Sequence, residues 1–106
     1  MSELASESVV TDNPAESRFE IYVGGERAGL IQYQLNGEKI SLIHTEVDDR
    51  FQGMGLAAKL ARSALDQARA RGLAVLPFCP YVKSWIAKHP DYVDLVPEAR
   101  RAEFGL

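Results

Sequence analysis

Three side chains in this sequence are of types that move protons and acyl groups: His44, Glu46 and Cys79. His44 and Glu46 are two residues apart, so an extended strand projects both to one face. Cys79 is the single cysteine and follows a short apolar run, Leu73 to Leu76, bounded by Gly72 and Pro77. That run is too short for a helix and reads as a buried strand. If it neighbours the strand that carries His44, imidazole and thiol approach one point. An imidazole can take the proton of a thiol and make it a nucleophile, and a carboxylate can accept a proton from an amine. Plainer readings stand beside this one. They are a half-buried strand histidine, a solvated carboxylate, and a Cys-Pro pair that opens a helix. His44, Cys79 and His89 lack the close spacing of a metal site, so no metal is expected.

A second group of residues suits an anion. The segment Asp48-Asp49-Arg50-Phe51-Gln52-Gly53-Met54-Gly55-Leu56-Ala57-Ala58 joins a strand to a long helix. Its glycines let the backbone turn tightly and come close to a ligand. The helix start adds unpaired N–H groups and the positive end of the dipole, which favours a phosphate or pyrophosphate. Gly53 and Gly55 would equally serve a tight turn with no ligand. Gly53-x-Gly55-x-x-Ala58 also fits a dinucleotide loop read loosely. However, that loop follows the first strand of a βαβ unit and needs an acidic residue ~20 positions on. Here antiparallel strands come first, and the run Leu73 to Cys79 has no Asp or Glu.

The elements that must position these groups can be read from periodicity. Phe19, Ile21 and Val23 alternate with polar neighbours, and Gly24 to Arg27 reads as a hairpin turn. Ala28 to Leu35 returns, Asn36-Gly37 turns again, and Ile40 to Val47 forms a third strand. Strict alternation gives that third strand two faces. One holds Ile40, Leu42, His44 and Glu46; the other holds Ser41, Ile43, Thr45 and Val47. Leu56, Leu60, Ala61, Ala64, Leu65 and Ala68 then recur at helical spacing, giving an amphipathic helix over about Met54 to Arg71 that Gly72 ends. After the strand from Leu73, Pro80 opens a shorter helix to Lys88, and His89-Pro90 stops it. Asp91 to Val96 reads as a last short strand. The fold class is α+β: an antiparallel three-strand meander, a long helix, a near-parallel strand and a short C-terminal helix. Residues 1–17 read as a flexible tail, 18–97 as the domain, and 98–106 as a charged, frayed tail.

Composition narrows the partners. The chain has 106 residues, 46% of them hydrophobic, which suits one domain with a thin core. Lys and Arg total 12 against 15 Asp and Glu, a formal net charge of −3. A mildly acidic chain lacks the basic face that nucleic acid needs. No run approaches the ~20 apolar residues of a membrane span, and no secretory signal is visible at the N-terminus. With one cysteine no internal disulfide can form, and a reducing cytoplasm is the expected compartment.

Gln52-x-x-Gly55-x-Ala57 resembles the pyrophosphate signature of the GNAT acetyltransferase superfamily, Q/R-x-x-G-x-G/A, which follows a central antiparallel strand and opens a long helix. His44-Thr45-Glu46-Val47, Phe51 to Ala57, Ala70-Arg71-Gly72-Leu73, Cys79-Pro80-Tyr81-Val82 and His89-Pro90-Asp91-Tyr92 together are similar to the small single-domain GNAT-like (YjdJ-type) acetyltransferases. The resemblance spans about Arg18 to Val96. It implies a GNAT-like fold and acetyl-CoA as cosubstrate. Backbone amides of Gln52, Gly53, Met54, Gly55, Leu56 and Ala57 would hold the pyrophosphate, and Val47 would meet the acetyl carbonyl. Lys83, Lys88 or Lys59 would meet the 3′-phosphate. It further implies His44 and Cys79 as the active pair and N-acetyl transfer to an amine. The rival reading is a CoA-binding module without turnover.

Two departures from the larger enzymes matter. The helices that usually stand between the first two strands are replaced by Gly24 to Arg27. The position of the usual tyrosine acid falls near Trp85-Ile86, with Tyr81 a turn earlier. An acceptor site left this open suits a protein or peptide amine.

Overall fold

Alternating apolar residues build the sheet, and one helical stripe covers it. The computed structural model describes residues 8–106. Five strands run in sequence order: β1 (Val9–Asn13), β2 (Arg18–Val23), β3 (Glu26–Asn36), β4 (Lys39–Val47) and β5 (Ala74–Pro77). The first four are antiparallel, and β5 lies parallel to β4. The long helix α1 (Leu56–Ala70) makes the crossover, and α2 (Pro80–Lys88) follows β5. The six stripe residues of α1 are all buried against Phe19, Ile31, Tyr33, Ile40 and Leu42. Removing a buried leucine of this stripe from water contributes about 1.5–3 kcal/mol. Gly72 takes the left-handed conformation (φ +69°) that ends the helix.

Three parts of the chain differ from the reading of the sequence. Within the expected flexible tail, residues 9–13 form the edge strand β1, while residues 1–7 lie outside the described residues. Val9 and Val10 alone could not signal this strand; its partners hold it. Tyr33 donates to Asp12 at 2.6 Å, and Lys59 donates to the Ser8 carbonyl and hydroxyl at 2.8 Å. The expected strand at Asp91 to Val96 is instead a 3-10 turn over Pro90–Leu95. Tyr92, Leu95 and Val96 are buried at three- and four-residue spacing, which is helical, and Pro90 favours a helical start. The C-terminal segment is also folded. Phe104 is buried edge-on to Phe78, with centroids 5.2 Å apart, and Arg100 lies over both rings.

Glu20 is the one buried carboxylate among the described residues, on the sheet face away from α1. Burial opposes its ionisation. Hydrogen bonds from Arg18, Tyr22 and Asn13 together outweigh that and hold it below the ordinary glutamate value. A carboxyl group depressed in the folded state adds stability that is complete above its unfolded value and is lost as pH falls through the folded one. Glu20→Gln should therefore lower stability by about 1–3 kcal/mol at neutral pH. The gap between variant and parent in thermal melts should shrink as pH falls below the ordinary value of 4.5. A gap that stays constant from neutral pH to the acid end would contradict this.

Candidate active site

The site forms where β4 outruns β5. The two strands pair from Lys39↔Ala74 to Leu42↔Pro77, and β4 then continues alone to Val47. Past β5 the chain makes one further bond, Cys79 N–H to the Leu42 carbonyl at 2.8 Å, and turns into α2. The strands therefore part at their C-terminal ends, and His44, Thr45, Glu46 and Val47 border the opening.

A bulge decides which of these residues face which way. Gln32 pairs with His44, but Tyr33 pairs with Leu42, so β4 carries Ile43 as an extra residue. The extra residue reverses the parity. Thr45, opposite the buried Ile31, joins Leu42 on the side of α1. His44 and Glu46 turn to the uncovered face, and His44 Nε2 lies 2.8 Å from Glu46 Oε2. The expectation that His44 and Glu46 share a face holds, but it is not the face of Ile40 and Leu42. The structure also does not bring His44 to Cys79. The buried Cys79 sulfur is 3.1 Å from Thr45 Oγ1, and it sits at the N-cap position of α2. The opening between the strands thus has a thiol and hydroxyl on one side and an imidazole–carboxylate pair on the other.

The glycine loop turns the chain from β4 into α1 and is held at both ends. Asp48 accepts the backbone N–H of Arg50 at 2.9 Å and so caps the short turn Asp49–Phe51. That bond, with the Arg50 side chain, holds Asp48 below the ordinary aspartate value. The Arg50 guanidinium also pairs with Glu26, tying the loop to the β2–β3 turn. Gln52 folds back to donate to the Val47 carbonyl at 2.9 Å, so its side chain braces the strand end rather than reaching outward. Gly53 (φ +81°) and Gly55 (φ +74°) both lie in the left-handed region, and a Cβ at either would stand in open space. The first bond of α1 runs from Lys59 to Gly55. The N–H groups of Leu56, Ala57 and Ala58 therefore have no acceptor within the helix.

A cleft of about 120 Å³ runs between this loop and α2. It is lined by Val47, Phe51, Gln52, Gly53, Gly55, Leu56, Ala57 and Ala58 on one side and by Tyr81 on the other. Met54 is half-buried and is not among the lining residues. Tyr81 was legible in the sequence only as a residue one turn before the usual acid. Trp85 and Ile86 are instead core residues. Burial raises the Tyr81 phenol above its ordinary value, and the neighbouring Cys79 adds to this, so Tyr81 keeps its proton at neutral pH. Of the three lysines, Lys59 is bonded to Ser8. Lys83 lies about 200° around α2 from Tyr81, whereas Lys88, about two turns on, shares the Tyr81 face.

Gly29 is a positioning residue that the sequence reading missed. It pairs with Val47, and a Cβ there would meet the Glu46 carbonyl oxygen at 2.6 Å. A glycine inside a strand pattern is the signal that a second backbone approaches closely. Gly29→Ala should force β3 and β4 apart beside the cleft. The expected cost is about 1–3 kcal/mol in denaturant unfolding, with amide shifts at Glu46 and Val47. An unchanged midpoint and spectrum would show that the contact relaxes freely.

Residues 18–95 match the family model described as GCN5-related N-acetyl-transferase. The chain belongs to that family. The GNAT fold follows from it: a mixed sheet whose parallel pair opens beside a glycine loop and helix. The chain is 30% identical over 88 residues to Protein NATD1 of Xenopus tropicalis, covering 80% of this chain and 81% of that protein. With Protein NATD1 of Mus musculus it shares 31% identity over 75 residues, 69% of this chain and 68% of the other. The solution structure of a GCN5-like protein from Staphylococcus aureus superposes with a TM-score of 0.65 at 25% identity, covering 92% of this chain and 91% of that one. The ribosomal-protein-S18-alanine N-acetyltransferase of Escherichia coli is similar in fold alone, with a TM-score of 0.54 at 18% identity over 70% of this chain and 55% of the other.

Proposed function

We propose that the protein is an acetyl-CoA-dependent N-acetyltransferase of the cytoplasm. The observation that carries this is the cleft itself. Two positive-φ glycines and the amides of Leu56, Ala57 and Ala58, which have no acceptor within the helix, stand on one side of it, with the Tyr81 phenol opposite and the buried Cys79 at the start of the helix that carries Tyr81. These residues fit a diphosphate at one end and an acyl thioester at the other. Acetyl-CoA supplies an activated acetyl group. The Cys79 thiol accepts that acetyl as a thioester, and its proton passes to the departing sulfur with Tyr81 as the nearby donor. On the uncovered face, the His44–Glu46 pair takes one proton from the acceptor ammonium. The free amine then attacks the acetyl carbon, the carbon–sulfur bond breaks, and the second amine proton returns to Cys79.

A hollow of about 130 Å³ beside the ends of β3 and β4 is lined by two carboxylates, Glu46 and Asp48, and one cation, Arg27, and Glu46 gives a cationic amine an acidic contact there. With β1 as the first strand, the connection between the first two strands is not Gly24 to Arg27 but the 3-10 turn Pro14–Glu16; it too holds no long helix, and an approach this open suits an amine on a protein or peptide. The same openness favours the second reading, a CoA-binding module without turnover. Incubation of the full chain with acetyl-CoA, followed by intact mass measurement and a screen of peptide amines, separates the two. Transfer to any amine supports the enzyme. Binding with neither adduct nor transfer supports the module.

A further inference from the structure

The bulge at Ile43 places a hydroxyl where the strand pattern alone would place an imidazole. Thr45 faces α1, pairs opposite the fully buried Ile31, and is itself half-buried. Valine has the same shape and would suit such a site better, because a hydroxyl taken from water needs a partner. The partner is the Cys79 sulfur, 3.1 Å from Oγ1. Threonine is branched at Cβ, so few rotamers are open to it and its hydroxyl is aimed in advance.

We infer that Thr45 is the positioning residue of the Cys79 thiol, holding the sulfur at the opening of the strands and donating to it once its proton has left. This rests on the reading of Cys79 as the acetyl acceptor. While the thiol keeps its proton, either group can donate. Once the proton is gone only Thr45 can, and a hydrogen bond to an ionised acceptor is about twice as strong as a neutral one. The bond thus strengthens as the nucleophile forms, which is the condition for speeding a reaction. Cys79 is the N-cap residue of α2, where the positive end of the helix dipole also favours a thiolate.

The test reads the thiol itself, independently of acetyl transfer. Iodoacetamide alkylation of Cys79 is followed by mass at fixed neutral pH in the full chain and in Thr45→Val, Thr45→Ala and Thr45→Ser, with Cys79→Ala as the blank. Thr45→Val and Thr45→Ala should both react about tenfold more slowly, as expected for losing ~1.4 kcal/mol, and Thr45→Ser should return to near the parent rate. Alanine loosens the packing, so a purely steric role would make Thr45→Ala faster instead. A fast Thr45→Ala, or a Thr45→Val that matches the parent, overturns the inference. A parent chain that takes no acetyl from acetyl-CoA overturns the reading of Cys79, and the alkylation series still decides what Thr45 does.

Discussion

Cys79→Ala should remove the acetyl adduct and lower turnover by at least about a hundredfold, a loss of ~2.7 kcal/mol in transition-state stabilisation. The thioester on the parent should be discharged by hydroxylamine. Because His44 lies on the uncovered face with Glu46 and away from the sulfur, His44→Ala should still load acetyl onto Cys79. It should then pass that acetyl to an amine slowly, so the adduct accumulates. Single-turnover mass measurements separate loading from discharge. If Cys79→Ala keeps most of its turnover while His44→Ala and Glu46→Gln lose it, the amine attacks acetyl-CoA directly and Cys79 is packing.

Gly55→Val should weaken CoA binding at least tenfold, about 1.4 kcal/mol. Two effects act together. The position has φ +74°, which a β-branched residue adopts only with strain, and its side chain would enter the open space of the cradle. Gly55→Asn separates them, because asparagine tolerates the left-handed conformation but still fills the cradle. If Asn binds as weakly as Val while melting like the parent, the loss comes from occupied space. If it binds like the parent, the diphosphate does not sit against Gly55.

Much of this molecule is legible in its residues. The α1 stripe, Gly72 and the two hairpin turns are local signals, and each acts where its spacing places it. The glycine loop is equally local, and it falls between β4 and α1 as its position requires. What could not be read was set by partners distant in the chain. Val9 to Asn13 becomes a strand only because β2 offers an edge and Tyr33 and Lys59 offer bonds. Phe104 is held by Phe78, across an interval no periodicity spans. The bulge at Ile43 has no mark in composition, yet it moves His44 from the thiol to the uncovered face and puts Thr45 in its place. Tyr92, Leu95 and Val96 did carry a helical spacing, which a run of only six residues between Pro90 and Pro97 left readable as a short strand.

The proposed function requires that the cleft take CoA. Titration of isotope-labelled full chain with CoA, followed by amide resonances, tests that most directly. The largest shifts are expected at the backbone amides from Gln52 to Ala57, with a second group at Tyr81, and no matching shifts with NAD. No response to CoA, or an equal response to NAD, would contradict it.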